Sequence, residues 1–240
     1  MHTSSSLRDY LLNRLVRVFV ASVGLLIFAF GYYLQLVVSV GVSPWHALNQ
    51  GLSQVLGLSF GQVSVIISVC VVATDLLLRE PIGVGTLLDA FLVGWGTDFF
   101  IGLELIPYQE DIWMSLLILV LSIVIICFSQ VIYMKAGLSC GPRDALMVAI
   151  GKRLRRLPIG VIGVMMNCAV MLAGFWMGGS IGIGTLINIT CFGIIMQAVF
   201  KLCRFDPRDV EQEGLTETIR AFFTALKGRR DSFPFGIKLK

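Results

Sequence analysis

Of 240 residues, 56% are hydrophobic and 14% charged, and the mean hydropathy is +0.85, whereas a soluble domain carries about 25% charged residues. Several uncharged apolar runs reach about 20 residues, the length that spans a bilayer core, which excludes a soluble enzyme and makes the chain an integral membrane protein. The net charge of +4 resides in short loops and a C-terminal tail rather than on a basic folded face, so topology and not nucleic acid accounts for it.

In chain order, a basic N-terminal segment (1–15) precedes the first apolar run, which is too long for a signal peptide and lacks a small-residue cleavage site. Six runs are predicted to span: Val18 to Val40, Gly61 to Leu78, Gly83 to Leu103, Ile112 to Met134, Ile159 to Met177 and Gly182 to Phe200. Pro44 to Gly57 and Pro142 to Leu154 read as shorter helices, polar on one side, that re-enter or lie at the interface. Each starts with a cap residue and proline, Ser43-Pro44 and Gly141-Pro142, and proline suits a first turn because its missing N–H would be unpaired there anyway. The tail, 207–240, holds seven Lys/Arg and five Asp/Glu. Leu215, Ile219, Phe222, Phe223 and Leu226 recur in it at helical spacing, which suits either an amphipathic helix on the inner leaflet or a solvated tail. The six cysteines form no C-x-x-C pair and read as small apolar residues, with no metal site or cofactor implied.

An internal repeat relates residues 16–104 to 112–203. At an offset of 98, Phe30, Pro44, Ala47 and Leu48 fall on Phe128, Pro142, Ala145 and Leu146. At an offset of 99, Gly83, Gly85, Thr86 and Gly94 fall on Gly182, Gly184, Thr185 and Gly193. The polar positions correspond as well: His46 to Asp144, Asp89 to Asn188 and Asp98 to Gln197. Three spans per copy make the copies inverted. Arg8, Arg14, Arg17, Arg79, Lys135, Arg143, Lys152, Arg153, Arg155, Arg156, Lys201 and Arg204 then all lie on the cytoplasmic side, with both termini, and no Lys or Arg lies outside. Trp45, Trp113, Trp176 and Tyr108 become outer aromatic anchors. The alternative, eight crossings in two parallel repeats, strands Arg79 outside. The expected fold is therefore an all-α polytopic membrane protein with two inverted repeats, each of three transmembrane helices and one short helix.

The segments GVSPWHAL and CGPRDAL, each followed by G-x-G-T, resemble the YczE/YitT-like group of uncharacterised bacterial membrane proteins, over roughly residues 16–203. The resemblance implies a bacterial inner-membrane protein and little about substrate. His46 stands where the group often has Asp, while Asp144 keeps the acid in the second copy.

Helix N-termini carry unpaired N–H groups and about half a positive charge, and inverted-repeat transporters aim such ends at substrate near the midplane. Ser43, Pro44, His46, Pro142, Arg143 and Asp144 are accordingly expected at a solute site, with Thr86, Thr185 and Asn188 beside it. The competing expectation has both short helices flat at the interfaces. Asp89, well inside a span, is a coupling-site candidate because an intramembrane carboxylate requires a cavity or a partner; Asp98 is a weaker one. Asp75 is expected to pair with Arg79 at i,i+4, Lys152 to Arg156 to form a topology-setting basic loop, and Asn167 to line a path or bond a neighbouring helix. There is no G-x-S-x-G, H-E-x-x-H or Walker loop, so an enzyme is not expected. A small secondary transporter or channel-like carrier for a small polar or anionic solute is the leading expectation, with lipid as surroundings and association of copies left open. A scaffold or regulatory protein that binds a partner through the loop and tail is the alternative.

Overall fold

Apolar runs between proline, glycine and acidic caps become helices in the computed structural model, which describes residues 7–40, 43–58, 60–179, 182–210 and 213–226. The helices are α1 (Leu7–Leu36), α2 (Pro44–Leu56), α3 (Phe60–Leu77), α4 (Val84–Leu103), α5 (Ile112–Lys135), α6 (Pro142–Arg153), α7 (Ile159–Trp176), α8 (Ile183–Leu202) and α9 (Leu215–Leu226). Five of them, α1, α4, α5, α7 and α8, are long and apolar enough to cross a membrane. The sixth expected run forms α3, whose apolar stretch Val65–Leu77 is shorter. Among the described residues the only β-pairing is an isolated bridge between Val38 and Gln109.

The first helix begins eleven residues before the expected Val18 and ends four before Val40. Beyond Leu36 the apolar chain leaves the helix because its carbonyls serve other segments. Val37 O accepts from Gln109 N at 2.8 Å, and Val40 O accepts from Gly184 N at 2.6 Å.

α1 packs on α4 and α5, α5 on α8, and α8 on α7, while α2 lies against α7 and α6 against α3. Leu25, Ile123, Ile126, Met134 and Met196 fill the centre of this bundle. Phe91 and Trp95 on α4, Leu117 on α5, Phe175 on α7 and Ile194 on α8 are exposed, an apolar perimeter that contacts lipid.

Both G-x-G-T tetrads act as clamps. In the first, Thr86 Oγ1 accepts from Gly83 N at 3.3 Å and donates to Cys140 O at 2.8 Å. Gly85 N donates to Leu138 O at 2.6 Å, so close that a Cβ on Gly85 would lie 2.8 Å from that oxygen. In the second, Thr185 Oγ1 accepts from Gly182 N at 3.3 Å and Gly184 N bonds Val40 O. The start of α4 thus holds the segment entering α6, and the start of α8 holds the segment entering α2. Only glycine lets two backbones approach this closely.

At the end of the bundle that carries the α1 N-terminus, buried Glu213 accepts from both terminal nitrogens of Arg14 and from Arg17 Nη1 at 3.0 Å. Arg17 also donates to Ala136 O and Gly137 O, each at 2.7 Å. Leu215 N donates to Ile82 O at 2.8 Å, which fastens the start of α9 to the entry of α4. Burial pushes the Glu213 carboxyl upward, but the hydrogen bond and charge of Arg14, joined by Arg17, outweigh this and hold it below its ordinary range. The tail therefore begins docked on the bundle. The expected stripe of Phe222, Phe223 and Leu226 falls on side chains outside the described ones.

The basic loop is partly engaged: Lys152 Nζ donates to Glu80 Oε2 at 2.7 Å and Arg153 Nη2 to Leu78 O at 2.9 Å. The expected Asp75–Arg79 pair is not among the described ion pairs. α3 ends at Leu77 and Arg79 turns to φ 59°, off the helical spacing that would bring them together, while Asp75 is buried.

Candidate functional site

One cavity of about 420 Å³ opens among α1 to α8, and the first turns of both short helices line it. From α2 come Ser43, Pro44, Trp45 and His46; from α6 come Gly141, Pro142, Arg143 and Asp144. The two starts touch, because the Arg143 guanidinium lies 4.8 Å from the centroid of the Trp45 ring and donates to Tyr32 OH at 3.1 Å. Tyr32 in turn meets the His46 ring edge-on at 5.1 Å, and His46 Nδ1 lies 3.0 Å from Ser43 Oγ.

This arrangement corrects two expectations. Arg143, grouped with the loop residues Lys152 to Arg156 in the expected topology, lines the cavity at the start of α6 instead. Trp45 is 8% exposed beneath Arg143 and is not an interfacial anchor, whereas Trp113, Trp176 and Tyr108 are 80%, 85% and 61% exposed.

Asp89, the sixth residue of α4, stands over Gly141 so closely that a Cβ there would lie 2.7 Å from its Oδ1. The positive end of α6 therefore faces a carboxylate of the protein itself. Asp144 accepts from Gln130 Nε2 at 2.9 Å and from Tyr133 OH. Asp98 lines the cavity from an exposed position on α4, and Asn188 and Asn167 line it from α8 and α7, both buried. Thr86 and Thr185 are not lining residues; they close the clamps described above. Formal charge on the lining is thus three carboxylates, Asp89, Asp98 and Asp144, against one guanidinium, Arg143.

Four buried polar atoms of lining residues have no protein hydrogen-bond partner: Gln35 Oε1, Asn49 Oδ1, Gln130 Oε1 and Asn188 Nδ2. Such atoms are uncommon in native interiors. Gln35, Asn49, Gln130, Tyr32 and Tyr133 were missed by sequence reasoning, although a signal existed. At the 98-residue offset Tyr32 falls on Gln130 and Gln35 on Tyr133, so a Tyr/Gln pair one helical turn apart recurs on α1 and α5 with its order reversed. The other missed residue, Glu213, is anchored at a distance of nearly two hundred residues from its arginines.

Similarity to other proteins agrees with a membrane protein. The chain is 34% identical over 176 residues (72% of this chain, 80% of the relative) to a protein of Bacillus subtilis named as uncharacterized membrane protein YczE. It is 29% identical over 160 residues (66% and 71%) to an uncharacterized protein of Haemophilus influenzae, and 29% identical over 181 residues (74% and 89%) to the uncharacterized protein YyaS of Bacillus subtilis. No solved structure matches. With residues 15–201 matching its family model, this multi-pass membrane protein belongs to the YczE-like family described as a family of unknown function, DUF6198.

Proposed function

We propose that the chain is a small secondary transporter or channel-like carrier for a small polar solute, bound between two inverted repeats of three spans and one re-entrant helix. The observation that carries this reading is the cavity itself: both short-helix starts open into it, and four buried polar atoms on its lining lack partners. A scaffold calls for a dry, packed centre instead.

Several features support the repeat reading. The bonds Gly85 N to Leu138 O and Gly184 N to Val40 O have the same length and exchange under the sequence offset. In this reading α3 is the sixth span, and the residues that join Arg14 and Arg17 to the ends of α5 and α9 mark the cytoplasmic face of the bacterial inner membrane. Arg79, Lys135, Lys152 and Lys201 belong to the same end, while the segments 37–43 and 104–111 carry no Lys or Arg, in keeping with the positive-inside rule.

Access of water to the cavity tests the proposal. In a cysteine-free background reconstituted in liposomes, Ala90→Cys, on the cavity wall, should react with a small charged thiol reagent, while Ile123→Cys, fully buried in the packed core, should not. Failure of Ala90→Cys to react from either face would refute a solute path.

A further inference from the structure

Resting on the carrier reading, we infer that the solute is a small protonated amine whose ammonium sits between the Asp89 carboxylate and the unpartnered Gln130 Oε1.

The sign of charge follows from counting. With every carboxylate ionised, Asp89, Asp98 and Asp144 bring three negative charges to the cavity and Arg143 one positive. The two helix starts add about half a charge each, which leaves roughly one negative charge uncompensated. An anion would add to that imbalance; a monocation removes it. Two of the groups that would favour an anion are already engaged. The α6 start is covered by the Asp89 carboxylate over Gly141, and Arg143 is stacked on Trp45 and bonded to Tyr32.

The unpartnered atoms point the same way and are independent of the charges. Gln130 is oriented by its own bond, since its Nε2 donates to Asp144 Oδ1, so the atom left over is an acceptor. Gln35 Oε1 and Asn49 Oδ1 are also acceptors, and Asn188 Nδ2 alone is a donor. A lining with spare acceptors selects a solute rich in N–H donors, and an ammonium group carries three donors and no acceptor. Gln130 is 1% exposed, and a buried acceptor left unmatched is costly, a cost that an amine entering the cavity relieves.

Size and wall chemistry separate an organic amine from a bare metal ion. A volume of about 420 Å³ is in the range that holds small organic ligands. Its walls include Phe28, Met147, Met166 and Phe192, which suit an alkyl body attached to the ammonium. Among the described residues no group of three or more His, Cys, Asp or Glu could hold a metal.

The test uses propylammonium and propionate, probes of nearly equal size and opposite charge, on the purified full chain in lipid nanodiscs at fixed pH and ionic strength. Binding to the native state raises the melting temperature in a saturable manner. Propylammonium is expected to do so and propionate not, a comparison that requires no variant. Asp89→Asn should then weaken propylammonium binding at least tenfold, and Arg143→Gln should not weaken it. Asp206→Asn, an acid bonded to Arg208 outside the cavity, serves as a control and should bind as the parent does. Stabilisation by propionate, by neither probe, or by propylammonium with undiminished affinity in a folded Asp89→Asn protein overturns the inference. If propionate stabilises while Ala90→Cys is reactive, the carrier reading survives and the charge assignment falls. If neither probe binds and Ala90→Cys is unreactive, both fall.

Discussion

Replacing Glu213 should undock the tail without unfolding the bundle. Its side chain is 4% exposed and joins Arg14, Arg17 and, at 3.3 Å, Thr218 Oγ1. Glu213→Ala leaves two guanidinium groups without their carboxylate. Breaking a buried ion pair by removing one partner costs about 3–5 kcal/mol. The lower end applies here, because Arg17 keeps the carbonyls of Ala136 and Gly137, and Arg14, with 15% of its side chain exposed, can turn toward water. At about 1.4 kcal/mol per tenfold, a loss of about 3 kcal/mol raises the undocked population roughly a hundredfold. Hydrogen exchange should register this at the amides of Glu213 and Leu215, which donate to Gly137 O and Ile82 O, while the amides of α5 keep their protection. Glu213→Gln, which retains a hydrogen-bonding side chain, should give a smaller effect. Unchanged exchange at residues 213–226 in Glu213→Ala would refute the latch.

The same group sets a pH dependence. The folded value of Glu213 lies below its ordinary 4.5, so the latch contributes in full above about that pH and is lost as pH falls through the lower folded value. Tail exchange should be flat from neutral pH to about 5, after correction for intrinsic rates, and should rise only in stronger acid. A midpoint near pH 6 would mean that another group controls docking.

Three further outcomes follow from particular contacts. Gly85→Ala and Gly184→Ala should each destabilise the bundle by about 1–3 kcal/mol, as overpacking does, because each added methyl meets a backbone carbonyl, whereas Gly102→Ala, with nothing within 4 Å, should melt as the parent does; equal melting temperatures in all three would remove the clamp argument. Asp75, buried with Oδ1 unpartnered, should be more stable as Asn, since an unpaired buried carboxylate is costly, and a lower melting temperature for Asp75→Asn would reveal an ion or partner that holds it. Engineered cysteines near Gly57 and Gln109 should label from outside and those near Arg79 and Arg155 should not, labelling at Arg79 being the mark of eight parallel crossings.

The legible part of the molecule was whatever repeats or has a period. Apolar run length gave the spanning helices, and Ser43-Pro44 and Gly141-Pro142 gave the starts of α2 and α6 to the residue. The G-x-G-T tetrads were visible as a repeated pattern, but their role was not, because a clamp between Gly85 and Leu138 is a tertiary contact that no local propensity encodes. The setting of Arg143 was hidden for a related reason. Counting charges by loop grouped it with Lys152 to Arg156, whereas its contacts with Trp45 and Tyr32 on the cavity wall are tertiary. Glu213 was hidden in a tail whose composition reads as solvated, and only its distant arginines explain its burial. Nine of the eleven expected site residues line one cavity, and Thr86 and Thr185 turn away into caps; the neutral partners Gln35, Asn49 and Gln130 carried no charge to draw attention.

The two halves supply a common frame and unequal polar groups, and the inequality yields a last prediction. Asp144 on α6 is held by Gln130 and Tyr133 from α5; the corresponding residue on α2 is His46, with Tyr32 from α1 beside it and Gln35 one turn further on. An acid at position 46 would therefore find a frame like the one that already holds Asp144. His46→Asp should fold, and it should add one negative charge to the cavity. An added unit charge on the cavity wall attracts a cation, so propylammonium should bind more tightly than to the parent. Part of that gain will be spent on Arg143, which lies beside position 46 across the Trp45 and Tyr32 rings, so a several-fold increase meets the expectation. Binding that weakens in a folded His46→Asp protein would show that the cavity does not select by net charge, and the amine assignment would fail with it.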